Sequence, residues 1–306
     1  MNIGNQEITF VIQGPISIME GRGLKEGVTQ KNIQAIRHFF PGSKIIVSTW
    51  QGQNATGLDV DQVLLLNDPG QNSVFNDGVE QKLNNNRQLY SSHQGLRAVT
   101  TQYAAKVRSD SIISGRGFIE LYQQYAHLSR DKNNTYLTSR IVTSSAFFIS
   151  SHAGKRVYFH KSDLFDFGLT EDLLKVWPEK LIPELKFSKV NGYKSRYPAT
   201  EQFLCLHWIA QLLDEPLHIN TKAGDDAGLG ENFWLRLIAN NIIVSEPKEL
   251  GLDVTERFYK RGNKALEYDL KDWLYFSGIS KKPLDTKRIY RAYRYYEQAL
   301  ISKIKA

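Results

Sequence analysis

Along the chain, short β-branched apolar runs alternate with stretches in which apolar residues recur every three to four positions, the pattern of strands alternating with helices. The first run, Glu7-Ile-Thr-Phe-Val-Ile-Gln13, is stopped by Gly14-Pro15, so a buried strand ends near Gln13. From Thr29 or Asn32 the pattern turns helical through Ile33, Ile36, Phe39 and Phe40, and Pro41-Gly42 closes it. Lys44-Ile-Ile-Val-Ser-Thr-Trp50 and Val63-Leu-Leu-Leu66 read as the second and third strands. After a polar, Asn-rich stretch over 72–86, a helix is expected from about Arg87 to Tyr103, with Leu89, Leu96 and Val99 on one face. It leads into a short strand, Ala104-Ala-Lys-Val-Arg108, that stops at Ser109-Asp110. Farther on, strands are expected at 135–139 and 146–150, and helices at 200–213, where Thr200 can cap, and at 232–240.

Such alternation predicts an α/β fold: a single mostly parallel, Rossmann-like sheet flanked by helices. Ligands of parallel sheets bind outside the carboxyl ends of the strands. Gln13, Gly14, Trp50, Asp68 and Asp110 all fall along that edge.

Composition adds three constraints. A chain of 306 residues, 41% hydrophobic and 23% charged, is ordinary for a globular protein, and no stretch approaches the roughly 20 apolar residues that span a bilayer. The first residues carry no basic segment followed by an apolar core, so the expectation is a cytoplasmic protein. The single Cys205, in an apolar helical stretch, reads as a buried thiol and not a nucleophile. Of the net charge of +7, residues 281–306 supply +6, eight basic against two acidic residues, which leaves +1 for the rest. The tail places Ile289, Tyr293, Tyr296, Leu300 and Ile304 at helical spacing. It reads either as an amphipathic helix on an anionic membrane surface or as a helix packed on the domain with a solvated basic face.

The most informative block runs from Asn84 to Asp110: a polar loop, an Arg at a helix start, Gly95-Leu96 inside the helix, and a strand ending Arg108-Ser109-Asp110. It resembles nucleotide-sugar glycosyltransferases of the A-type fold. More specifically, the chain resembles the WavE family of lipopolysaccharide-synthesis proteins, through Phe10-Val-Ile-Gln-Gly-Pro15, residues 41–50, Asn67-Asp-Pro-Gly70, Asn86-Arg-Gln88, Gly95-Leu96, Lys106-Val-Arg-Ser-Asp110, His160-Lys-Ser-Asp163, Phe167-Gly168 and Pro198-Ala-Thr-Glu-Gln202. The resemblance implies a glycosyltransferase that moves a sugar from a nucleotide-sugar donor to a surface glycan or lipid-linked glycan acceptor. On that reading residues 1–114 form the donor half and 115–280 the acceptor half of one domain, and 281–306 a basic C-terminal helix. Gln13 and Gly14 would lie near the base, with Arg87 and Arg108 at the diphosphate. Asp110 would hold a divalent cation, Mn²⁺ or Mg²⁺, or bond a sugar hydroxyl. The strand end departs from the family's Asp-x-Asp, having Arg108 where the first Asp stands, so metal dependence is open; a carboxylate here can also simply cap a turn.

Sugar transfer needs a base for the acceptor hydroxyl. Asp163, Glu171, Asp172 and Glu201 are the candidates, and Asp163 and Glu201 are preferred: Asp163 is a carboxylate next to an aromatic segment, and Glu201 opens a helix. His160 and His207 read as structural hydrogen bonders before metal ligands, and Trp50 and Tyr103 as core before base-stacking residues. Two glycine-rich segments, Gly21-Arg-Gly23 and residues 224–230, read as flexible loops, the second as a lid over the acceptor. A phosphotransferase acting on glycan precursors would use a similar site. No nucleic acid is expected, because the body is near neutral and carries no recognised binding module.

Overall fold

The computed structural model describes residues 2–16, 27–255, 258 and 264–305; Gly21 and Gly23 lie outside them. In chain order the first elements are β1 (Ile8–Gln13), α1 (Val28–Phe39), β2 (Lys44–Trp50), β3 (Gln62–Leu66), β4 (Asn72–Asn76), β5 (Val79–Leu83), α2 (Asn85–Arg97), β6 (Tyr103–Arg108) and β7 (Ser111–Ile113). Then come α3 (Gly117–Tyr125), β8 (Ile141–Ser144), β9 (Ser151–His152), β10 (Lys155–Arg156), β11 (Phe165–Leu169), α4 (Thr170–Val176), β12 (Leu185–Phe187) and α5 (Thr200–Leu213). The chain continues through α6 (Glu231–Asn241), β13 (Ile242–Ser245), α7 (Pro247–Leu250), β14 (Leu252–Val254), α8 (Leu270–Phe276) and α9 (Thr286–Ile304).

Seven strands form the central sheet in the order β13-β8-β11-β6-β1-β2-β3. All neighbours are parallel except β11, which runs antiparallel to both β6 and β8. Every residue of β1 is buried, as a continuous apolar run in a sheet covered on both faces requires. An aromatic cluster fills one side: Phe118 lies 5.5 Å from Phe40, 5.1 Å from Phe165 and 4.9 Å from Phe167, and Phe10 lies 4.9 Å from Phe40. On α2, Gly95 fits where a Cβ would stand 2.4 Å from Val11 Cγ1 and 3.1 Å from Ser48 Cβ, so a side chain there would push α2 off β1 and β2.

The structure departs from the sequence expectations in five places. Residues 72–83 form the hairpin β4–β5, whose turn, Asp77-Gly78, holds both residues at positive φ, as a two-residue hairpin loop demands. Helix α2 starts at Asn85 and stops at Arg97, six residues short of the expected end, where Thr101 bonds to Tyr103 and to Thr9 instead. Residues 135–139 are not a strand: the backbone N–H groups of Tyr136 and Leu137 donate to Asn241, and those of Thr138 and Ser139 to Asp172, so side chains replace a ladder. Nor do residues 146–150 form a strand, since Phe147 adopts a left-handed conformation and only Ile149 bridges, to Glu267. At α5 the capping residue is Ala199, whose N–H donates to the Gln202 side chain, and Thr200 is the first helical residue.

The C-terminal helix α9 sits with its cations inward. Arg288 and Arg291 bond to Asp269 and Asp272 at the start of α8, Lys287 pairs with Asp269 at 2.7 Å, and Gln298 is buried. Gly154 permits this contact: a Cβ there would stand 2.3 Å from the backbone nitrogen of Ala299. The row Ile289, Tyr293, Tyr296, Leu300 and Ile304 faces away from the body, each at least 59% exposed. No helix among the described residues is long and apolar enough to cross a membrane.

Candidate functional site

The sheet order reverses between β1 and β6: the chain steps from β1 outward to β2 and β3, then returns to build on the other side. Loops leaving two such strands diverge and open a crevice at their carboxyl ends. Gln13 and Arg108 end these strands in register with one another. Ser109 donates its N–H to the Gln13 carbonyl at 2.9 Å, and Gly14 turns away at φ 118°, donating to the Ser48 carbonyl. A side chain at Gly14 would meet Ser109 Oγ at 2.8 Å, so glycine is required both by conformation and by space. The Gln13 Oε1 is buried without a hydrogen-bond partner, a cost a bound donor would remove.

Arg108 organises the charges. Its Nε and Nη2 grip Asp110 at 3.0 and 2.9 Å, and its Nη1 reaches Asp163 Oδ2 at 3.1 Å. The same Asp163 oxygen accepts from Gln88 Nε2 at 2.6 Å. Asp163 enters from the residues just before β11, which can reach this edge because β11 runs antiparallel and so begins where β6 ends. Burial resists ionisation of Asp163, but the charges of Arg108 and Lys106 outweigh it and hold the carboxyl below its ordinary range. Burial opposes the Arg108 charge too, and Asp110 and Asp163 more than restore it.

Glu201 joins this group through the Asn-rich block. Asn85 donates to the Thr200 carbonyl at 3.0 Å, and Asn86 makes a two-way bond with the backbone of Ile182. The Asn85 bond ties the first turn of α5 to the first turn of α2, which carries Gln88, and the Asn86 bonds hold α2 to the segment before β12. Glu201 lies with its Oε2 3.9 Å from His160 Nε2, and it lines one small cavity together with Asp163, Lys161, Trp177 and Cys205. Burial, reinforced by the negative charge of Asp163, pushes the Glu201 carboxyl up to about 7. His160 is driven the other way by burial, to about 3, and is neutral. Lys222, nearby in charge, is lowered by burial and partly restored by Glu201.

Underneath lies a buried ionic layer that inspection of motifs missed. Lys161 pairs with Asp166 at 2.6 Å, Trp177 Nε1 donates to Asp166 at 2.9 Å, and Lys106 stands 4.0 Å from the Trp177 ring centre. Burial lowers Lys106 to about 7. The signal was a lysine and an aspartate inside apolar strands, at Lys106 and Asp166, which match across β6 and β11. Phe147 and Phe159 hold left-handed conformations, at φ 64° and 56°, local strain of the kind kept where geometry is functional. The Phe258 ring lies 5.6 Å from Phe147 and 5.3 Å from the Arg108 guanidinium.

The remaining sequence candidates lie elsewhere. Arg87 is held by Asp68 at 2.8 Å and by Asn84 at 3.0 Å, one residue from Gln88 but committed to the loop after β3. Asp172 accepts two backbone N–H groups and Glu171 is exposed; both open α4 at the far end of β11, across the sheet from the crevice. Tyr103 begins β6 at that same far edge and stacks on Phe167. His207 donates to the Lys180 carbonyl, and Cys205 is buried, its thiol raised by burial to about 12. As a cation site the strand end does not fit: both Asp110 oxygens are on Arg108, and among the described residues no group of three or more His, Cys, Asp or Glu gathers to hold a metal.

Fold and site together define an α/β protein with a mostly parallel sheet and a cluster of Arg108, Asp110, Asp163 and Glu201 at the switch-point crevice. The chain belongs to the WavE lipopolysaccharide-synthesis family, whose model matches residues 8–306. Its place is therefore in lipopolysaccharide synthesis. No curated protein matches the chain.

Proposed function

We propose that this protein is an A-type glycosyltransferase that moves a sugar from a nucleotide-sugar donor to a surface-glycan acceptor. The observation that carries this reading is the divergence of two carboxyl groups in one crevice: Asp163 is held ionised by Arg108, while Glu201 is raised to about 7. Two carboxyls pushed apart by their surroundings take different roles. Glu201 is the base: near neutral pH it can accept the acceptor hydroxyl proton, and it opens a helix beside the crevice. Arg108, its charge favoured in the folded protein but balanced by Asp110 and Asp163, which hold the guanidinium in place, faces the leaving diphosphate with the remaining N–H of each terminal nitrogen and donates to it there. Gln13, with its orphaned amide oxygen, accepts a donor N–H of the nucleotide base. Arg87 contributes only if the donor displaces Asp68.

The test is calorimetric titration with UDP, GDP, CMP and their common sugars, each in EDTA and in Mn²⁺, followed by a transfer assay on a lipopolysaccharide acceptor. The expected result is binding of one nucleotide class at similar affinity with and without metal, with Glu201→Gln retaining binding and losing transfer. Absence of binding to every nucleotide in both conditions would overturn the reading. Release of free phosphate or a phosphorylated acceptor in place of a glycosylated one would point to phosphotransfer.

A further inference from the structure

Helix α9 carries Lys287, Arg288 and Arg291 against the body and its apolar row in solvent, the reverse of an ordinary surface helix. Ile289, Tyr293, Tyr296, Leu300 and Ile304 are exposed by 59, 59, 71, 60 and 75%, and they follow one another by three or four residues along one face. The row is about 22 Å long at 1.5 Å per residue. Just before the helix, Leu284 is 86% exposed. The opposite face is fixed: Arg288 and Arg291 bond to Asp269 and Asp272, Lys287 bonds to Asp269, and Gln298 is buried. The helix therefore cannot roll its apolar row inward without breaking these pairs.

The charges around the row say what covers it. Arg294 is paired with Glu297, to which Tyr293 also donates, and Asp285 caps the helix and bonds Arg288 and Lys271. Lys281, Lys282 and Lys303 make no ion pair among the described residues, and Lys305 stands over the Tyr193 ring. Lysines without an ion pair thus stand in the segment before the helix, at 281 and 282, and on its last turn, at 303. A second copy packed antiparallel on this face would bring the lysines at one end against those at the other, and a parallel copy would align like with like. An anionic surface meets all of them favourably. Tyrosine is suited to such a surface, because its ring is apolar and its hydroxyl remains among polar headgroups.

We propose that α9 lies in the interface of an anionic lipid surface, with Ile289, Tyr293, Tyr296, Leu300 and Ile304 inserted and the end lysines on the headgroups. This does not depend on the reaction assigned to the crevice.

The experiment is co-sedimentation of the full chain with vesicles of phosphatidylcholine alone and of phosphatidylcholine mixed with phosphatidylglycerol, at low and high salt, alongside light scattering in the absence of lipid. Wild type is expected to bind the anionic vesicles at least about tenfold more tightly than the neutral ones, and less tightly in high salt. The combined variant Tyr293→Glu, Tyr296→Glu, Leu300→Glu is expected to lose binding at an unchanged melting temperature, because these side chains are already in solvent. A second variant, with Lys281, Lys282, Lys303 and Lys305 changed to Gln, keeps the row and is expected to lose the preference for anionic lipid. Equal binding to both vesicles, no binding to either, or a dimer that the apolar variant converts to a monomer would overturn the proposal.

Discussion

Replacing Glu201 by Gln should stabilise the protein above neutral pH while abolishing its chemistry. The folded carboxyl is raised from 4.5 to about 7, so the folded state holds a proton that the unfolded chain has already released. The stability this group contributes is complete below pH 4.5 and is lost as pH rises through 7. At about 1.36 kcal/mol per pKa unit, the full penalty above pH 7 is about 3 kcal/mol. The side chain is 23% exposed, and the variant also leaves Lys222 without its favourable neighbour, so roughly half is a better expectation: about 1–2 kcal/mol. Gln keeps the volume and removes the charge, so that gain should be present at pH 8 and nearly absent at pH 4.5. Urea denaturation of both proteins at the two pH values measures it, and transfer should fall by about a hundred to ten-thousandfold in the same variant. A variant no more stable than wild type at pH 8, with the same difference at pH 4.5, would show that Glu201 is ordinarily ionised and would remove the case for it as the base.

Arg108→Met should cost about 3–5 kcal/mol in urea denaturation, since Asp163 and Asp110, 11 and 6% exposed in their side chains, lose the guanidinium they share; a cost under about 1 kcal/mol would mean the cluster is not coupled. Lys106 is lowered to about 7, so the folded state binds fewer protons than the unfolded one between pH 7 and 10.5 and its contribution to stability grows as pH rises across that window; Lys106→Met should flatten the rise, and unchanged slopes from pH 7 to 10 would refute it. Gly95→Ala should lower stability by about 1–3 kcal/mol, because its Cβ would stand 2.4 Å from Val11 Cγ1, and adding Val11→Ala should recover part of the loss in a thermal melt.

Local chemistry alone was enough for much of the fold. Residues 8–13, 44–50 and 103–108 are short, mostly apolar segments of the kind buried on both faces, and Gly14-Pro15 and Ser109-Asp110 mark the carboxyl ends of the first and third, which is why the strand-end positions of Gln13, Arg108 and Asp110 were legible before any tertiary structure. The glycine in Gly95-Leu96 was visible as a motif, but its reason, the close approach of α2 to Val11, exists only once helix and sheet are packed. Strands were overpredicted at 135–139 because the Asn241 and Asp172 side chains that satisfy that backbone are about a hundred and about thirty residues away along the chain.

The sequence by itself determined which segments are apolar enough to be strands, where they stop, and which charged residues stand at those stops, because each of these depends on neighbours a few residues apart. Only the tertiary structure decided that β11 runs antiparallel, delivering Asp163 to Arg108 and carrying Glu171 and Asp172 away, and that Asn85 draws Glu201 to the same crevice. It also turned the C-terminal helix over: the amphipathic period was plain in the sequence, but which face meets solvent depended on Asp269 and Asp272, in another helix, claiming the cations. Periodicity records that a helix has two faces, and the partners that select between them are set by long-range electrostatic pairing.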